Sequence, residues 1–317
     1  MINRRTFLTL ASAIACMRGI DAGAAIPLRL VFIHGRSQQG LDPVVLKKTW
    51  SEALVSALAI QNLKLPTSLD IEFPYYGDAL DKFVSQSKIQ VASQVHARGS
   101  DQQDDFLAFQ AQVANELVVN AGVTDAQIDA EYGNNPKTRG PLNWEWVQSI
   151  LQALDKHGGG LSADAIEAFT RDVYLYLTSE LVRTEIDKIV MKSMNGEPTI
   201  VVGHSLGSVV AYNVLKTNPG FKVPMLVTIG SPLGIRAIRT PLSPIGFQKA
   251  SPAGLTHMTP ATSWRSIRLT APISLFGRRS KTIPVSRTAP PTGMESPDIL
   301  VTQQWLVRFM KAVHRPL

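Results

Sequence analysis

Five residues constrain this chain more than any others: Gly203-His204-Ser205-Leu206-Gly207. They follow the apolar run Thr199-Ile200-Val201-Val202 and precede Ser208-Val209-Val210-Ala211-Tyr212-Asn213-Val214-Leu215-Lys216. The first run has the character of a buried strand and the second that of a helix, so the chain must reverse from one to the other within a few residues. A strand–Gly-x-Ser-x-Gly–helix sequence is a nucleophile elbow. The turn is so tight that a side chain flanking it clashes, which accounts for Gly203 and Gly207. It lifts the Ser205 hydroxyl clear of the sheet. The N–H of Leu206 then lies at the start of a helix, where partial positive charge favours an oxyanion. His204 reads as a packing residue.

A second segment fits the first. Leu28-Arg29-Leu30-Val31-Phe32-Ile33 is a short apolar strand that runs into His34-Gly35-Arg36. Together the two motifs resemble the α/β-hydrolase superfamily, over residues 28 to about 244 and in the expected order. The resemblance implies that the loop after the earlier strand supplies the second oxyanion donor. By position, the backbone N–H groups of Arg36 and Leu206 form that pair. Gly35 belongs to the loop, and His34 shapes it. The resemblance further implies a serine hydrolase acting on a carboxylic ester or thioester, esterase- or lipase-like, with a small-molecule or lipid ester as substrate. It implies no metal and no organic cofactor. Serine at the elbow argues against the dehalogenase branch, which uses a carboxylate there.

The pattern between and after these motifs is that of an α/β protein, a mainly parallel sheet wrapped by helices. Asp42-Pro43 opens a helix with a capping side chain and a proline at the first helical position. Helical spacing continues through Val44, Leu46, Trp50, Leu54 and Leu58. Leu69–Phe73 alternates as a strand and ends in Pro74-Tyr75-Tyr76-Gly77-Asp78, a loop whose tyrosines either touch substrate or pack. Residues 84–160 lack strand signals and read as a helical cap insertion, with helical stretches near 104–120 and 142–155. A long helix is expected near 163–194. Val223–Ile229 is a further buried strand. One α/β domain with its insertion fits within 317 residues, and the 44% hydrophobic content supports its core.

The two ends differ from this body. Asn3-Arg4-Arg5-Thr6-Phe7-Leu8, the apolar stretch Phe7–Met17 and Ala22-Gly23-Ala24 make residues 1–25 an export signal of the twin-arginine type, directing the chain to the periplasm or cell envelope. Cys16, the single cysteine, leaves a lipoprotein signal open, and a start near Met17 leaves a cytoplasmic protein open. No internal disulfide can form. No other segment is a transmembrane candidate.

Residues 1–244 carry 22 Lys/Arg and 23 Asp/Glu, whereas residues 245–317 carry 10 and 2. The net charge of +7 therefore arises entirely in the last 73 residues, which are rich in Ser, Thr, Pro and Arg and show no strand–helix alternation. In the resembled fold the acid and the histidine of a catalytic triad follow the serine in the chain. After Ser205 the acids are Glu295 and Asp298 and the histidines are His257 and His314. Ser205, Asp298 (or Glu295) and His314 form the ordered set, but His314 lies three residues from the C-terminus. The basic tail is also open to translation out of frame. Met258 followed by Thr259 forces an aspartate codon in the overlapping frame, and Met294 followed by Glu295 forces glycine. The residues around them permit an acid-bearing loop and a histidine loop about 35 codons apart, with the slip near Pro244–Ile245. A disabled hydrolase without its triad, and a non-enzymatic binding protein with a basic tail, are the alternatives. The tail has no nucleic-acid motif, and no nucleic-acid partner is expected.

Overall fold

In the computed structural model, residues 29–60, 65, 69–94, 101–133, 139–158, 162–223 and 225–244 are described. The export signal expected at 1–25 and the tail residues His257, Glu295, Asp298 and His314 lie outside them.

Four strands form one parallel sheet: β1 (Arg29–Ile33), β2 (Asp70–Glu72), β3 (Thr199–His204) and β4 (Met225–Ile229), in the order β2-β1-β3-β4. A parallel sheet needs a crossover between neighbouring strands, and its strands are buried on both faces. That is why β1 reads as Arg-Leu-Val-Phe-Ile, buried throughout. Side chains alternate between faces. Leu30, Phe32, Ile200 and Val202 pack on one side with Trp50 and Leu54 of helix α1 (Pro43–Ile60). Val31, Ile33 and Val201 pack on the other with Val209, Val210 and Tyr212 of helix α8 (Leu206–Thr217). Helix α1 starts as its sequence expects, with Asp42 Oδ1 accepting from the Val44 N–H at 2.7 Å.

Register at the sheet's lower end is fixed by charge. Arg29 is buried; its Nε donates to Asp70 Oδ2 at 2.7 Å across the β1–β2 pair, and it also donates to the Ser193 carbonyl at 2.9 Å.

Between β2 and β3 lie six helices: α2 (Gly77–Gln86), α3 (Asp101–Ala121), α4 (Asp125–Tyr132), α5 (Trp144–His157), α6 (Ala163–Thr178) and α7 (Glu180–Met191). Helices α3 to α5 bury a core of their own, including Leu107, Ala114, Ile128, Val147, Ile150 and Leu154. Helix α2 and the later helices α6 and α7 join the sheet core through Leu80, Val173, Tyr176, Ile186 and Val190.

Two local outcomes differ from the sequence reading. The long helix expected near 163–194 is two helices. Ser179 adopts an extended conformation (φ −92°, ψ 113°), and its hydroxyl accepts from Val182 N–H at 3.4 Å, so it ends α6 and caps α7. Helix α4 was not foreseen. Thr124 and Gln127 start it with a reciprocal capping box.

The result is an α/β fold with a parallel sheet and flanking helices, compatible with an α/β-hydrolase. A short helix, α9 (Arg236–Arg239), follows β4. No described helix is long and apolar enough to cross a membrane.

Candidate active site

Strand β1 is the point where the sheet's order reverses. The connection from β1 runs over one face to β2, and that from β3 runs over the other face to β4. The loops at the carboxyl ends of β1 and β3 flank this reversal, the usual ligand position of open parallel sheets, and Ser205 is 4% exposed there. Ser205 and the loop His34-Gly35-Arg36 both sit there.

Ser205 has φ 51° and ψ −123°, a left-handed conformation that costs a non-glycine residue of order 1–3 kcal/mol. The surroundings hold it there. Its N–H donates to the Ile229 carbonyl of β4 at 2.9 Å. Its carbonyl accepts from the Ser208 N–H at 3.0 Å and from the Ser208 hydroxyl at 2.6 Å. Ser208 Oγ also lies 2.8 Å from Ser231 Oγ, which ties the elbow to the loop after β4. Neither Ser208 nor Ser231 stood out in the sequence. A serine three residues beyond the nucleophile is a common helix residue, and only the fold brings Ser231 beside it.

Gly203 and Gly207 are sterically required. A Cβ on Gly207 would lie 2.2 Å from the Ile33 carbonyl oxygen and 2.4 Å from that of His34. One on Gly203 would lie 2.6 Å from Ser208 Cα. The elbow is thus pressed directly against the end of β1. A Cβ on Gly35 would lie 3.0 Å from Ser205 Cβ, so the loop runs in contact with the serine. Leu206 is the first residue of α8, where N–H groups have no intrahelical acceptor. Arg36 follows Gly35 in the same loop.

His34 is fully buried and committed to this loop. Tyr76 N–H donates to its Nε2 at 3.0 Å, which leaves Nδ1 as the protonated nitrogen, donating to the Gly35 carbonyl at 2.6 Å. Its ring stacks on Tyr76 with centroids 4.0 Å apart, and the Tyr76 hydroxyl donates to the His34 carbonyl. Burial pushes the His34 pKa down to about 4 and keeps the ring neutral. Desolvation likewise lowers His204 to about 4, and its ring meets Trp50 edge-on. The two tyrosines brace the loop. Tyr75 Oη lies 2.7 Å from Asp78 Oδ1 and 2.8 Å from the Gln38 carbonyl, while Asp78 Oδ1 also accepts from Gly40 N–H at 2.7 Å.

The Arg36 side chain leaves the loop for helix α6, where Nε donates to Asp172 Oδ2 at 2.9 Å. Beside this pair a cavity of about 100 Å³ is lined by Gly35, Arg36, Leu80, Asp81, Arg171 and Asp172 among others. Ser205 is not among its lining residues.

No described residue exchanges a hydrogen bond with the Ser205 hydroxyl. Of the described histidines, His34 has both ring nitrogens engaged, and His157 ends helix α5. Among the described residues, no group of three or more His, Cys, Asp or Glu side chains is placed to hold a metal. Comparisons with protein-family models, with curated proteins and with solved structures returned no match.

Proposed function

We propose that this chain is a serine hydrolase that cleaves a carboxylic ester or thioester through an acyl-enzyme on Ser205. The observation that carries the reading is the strained Ser205 at a strand–helix elbow, with the Gly35–Arg36 loop packed against it. A serine held at positive φ by three separate main-chain and hydroxyl contacts is strain maintained at one position, and such strain concentrates at functional sites.

In this reading the Ser205 hydroxyl loses its proton to a base as Oγ attacks the acyl carbon. The resulting oxyanion takes hydrogen bonds from the N–H groups of Arg36 and Leu206. The alcohol or thiol leaves with a proton from the same base, and water then attacks the acyl-enzyme to release the acid and Ser205. The base and its orienting acid come from the chain after residue 244, with His314 and Asp298 (or Glu295) as the in-frame pair. Substrates are small-molecule or lipid esters. The Arg4-Arg5 segment supports a site of action in the periplasm or cell envelope.

Ester and thioester turnover by the purified chain, compared with Ser205→Ala, tests the proposal. The expected loss is about four to six orders of magnitude in kcat. Equal turnover in the two proteins would overturn it.

One observation favours a second reading. The charge balance changes from 22 basic and 23 acidic residues before position 245 to 10 and 2 after it. In this reading the tail is out of frame, and the chain carries the elbow without its base. A fresh nucleotide read from codon 235 to the stop separates the readings. A single inserted or deleted base near codon 245 gives the true protein a full triad and an active hydrolase, whereas a confirmed frame whose overlapping frame spells the acid and histidine loops supports the second. An overlapping frame that spells neither leaves Asp298 and His314 as the pair.

A further inference from the structure

We infer that Asp172 is a positioning residue for the oxyanion loop, so that helix α6 sets the geometry at Ser205. This rests on the proposed role of the Arg36 N–H.

The loop after β1 has to hold one backbone N–H at a fixed place while the chain around it turns sharply. Gly35 lies against Ser205, and Ser37 takes φ 60°. Between them, Arg36 is the residue whose own N–H is the proposed donor. Its side chain is anchored outside the loop. Nε donates to Asp172 Oδ2 at 2.9 Å, with the Arg36 side chain 18% exposed and that of Asp172 7%. Asp172 belongs to α6, whose other buried residues Val173, Tyr176 and Leu177 pack in the sheet core. The anchor point is therefore as rigid as the core. A side chain fixed at its tip restricts the φ and ψ of its own residue, and thereby the direction of its N–H.

The oxyanion donor is preorganised on one side by Tyr76 and His34, which stack and brace the loop's start, and on the other by Asp172. A hydrogen bond from Nε is directional, so a cation elsewhere in the cavity would not replace it. Asp81 and Arg171 line the same cavity, and burial raises the Asp172 carboxyl while Arg36 pulls it back down. Removing the Asp172 carboxylate leaves Arg36 in a poorly hydrated site with no fixed partner, and the loop relaxes toward solvent.

The test uses the full chain and three variants: Asp172→Asn, which keeps an acceptor oxygen, Asp172→Ala, which removes it, and Glu167→Gln as a control. Glu167 is a buried carboxylate on the same helix, bonded to Ser93 away from the loop. Ester hydrolysis gives kcat and KM, and amide hydrogen exchange reads the 34–38 segment directly. Expected for Asp172→Asn is a fall in kcat of about 10-fold, and for Asp172→Ala about 100-fold, the scale of one misplaced oxyanion donor. KM stays within about 2-fold, since the donor acts mainly on the transition state. Exchange in 34–38 accelerates in the same order, and Glu167→Gln changes neither readout. Unchanged exchange and kcat in both Asp172 variants overturn the inference, as does a loss shared equally by Glu167→Gln. Absence of both turnover and Ser205 acylation in the wild type overturns the hydrolase reading beneath it, while the exchange data still decide whether Asp172 holds the loop.

Discussion

At Gly207 the distance between two main chains decides what residue is allowed. The 2.2 Å approach that a Cβ would make to the Ile33 oxygen involves backbone on both sides, and neither partner can turn away. Gly207→Ala is expected to lower stability by about 3 kcal/mol or to prevent folding, by the overpacking and strain mechanisms that produce large single-site losses. Gly140→Ala, where a Cβ meets nothing within 4 Å, is the matched control and should leave the urea midpoint unchanged. His34 gives a pH-dependent counterpart. Its folded pKa of about 4 lies below the ordinary 6.5, so the unfolded chain takes up the proton first as pH falls. The His34 contribution to stability is thus fully present above about pH 6.5 and declines as the pH drops toward 4, by about 3 kcal/mol in all. His204 is lowered in the same way, so the His34 part is read as the difference between wild type and variant in urea unfolding at pH 7.5 and 4.5. His34→Asn, which keeps a donor near Nδ1, should show a smaller pH dependence. The elbow glycines and Ser205 were legible in the sequence because tight turns admit few residues. The tautomer of His34, the bracing by Tyr75 and Tyr76 and the Arg36–Asp172 pair were not, since each joins residues from 3 to 136 positions apart.

Helix starts were easier to read than helix ends. Asp42-Pro43 carries a local signal that works without its surroundings, and α1 begins at Pro43. The break at Ser179 was hidden in the sequence because Leu177, Leu181 and Val182 keep an apolar pattern across it. Ser179 acts there as a cap, the position serine favours over helix interiors. The break is reinforced from outside: Tyr176 donates to Asp187 Oδ1 at 2.6 Å, and Asn213 of α8 donates to Asp187 Oδ2 at 2.9 Å, so α6, α7 and α8 share one half-buried carboxylate. Glu116 of α3 plays a similar part at the other end of the molecule. Its two oxygens accept from the N–H groups of Arg236 and Ala237 at 2.7 and 3.0 Å, which joins the insertion to α9. Glu116→Ala should cost about 1–2 kcal/mol in urea unfolding, typical for charge-assisted bonds to a helix start, with faster amide exchange confined to 236–239.

For the molecule as a whole, the strand order β2-β1-β3-β4 gives the elbow its meaning. The same Gly-x-Ser-x-Gly turn in the middle of a uniformly ordered sheet would face a closed surface. At the reversal it packs beside the β1 loop, where open parallel sheets usually place a ligand. The α/β class and the parallel arrangement were legible because buried parallel strands appear as unbroken apolar runs. Strand order was not read from the sequence, because no local pattern states which strand neighbours which. Helix α6 reaches the β1 loop through Asp172, and the insertion is tied to the segment beyond β4 through Glu116. The most direct test of the central claim is acylation-type labelling of the purified chain with a fluorophosphonate, with the adduct located by mass spectrometry. A single adduct on Ser205, absent in Ser205→Ala, is the expected result. A folded protein that takes up no label, or takes it up at another residue, would contradict the account.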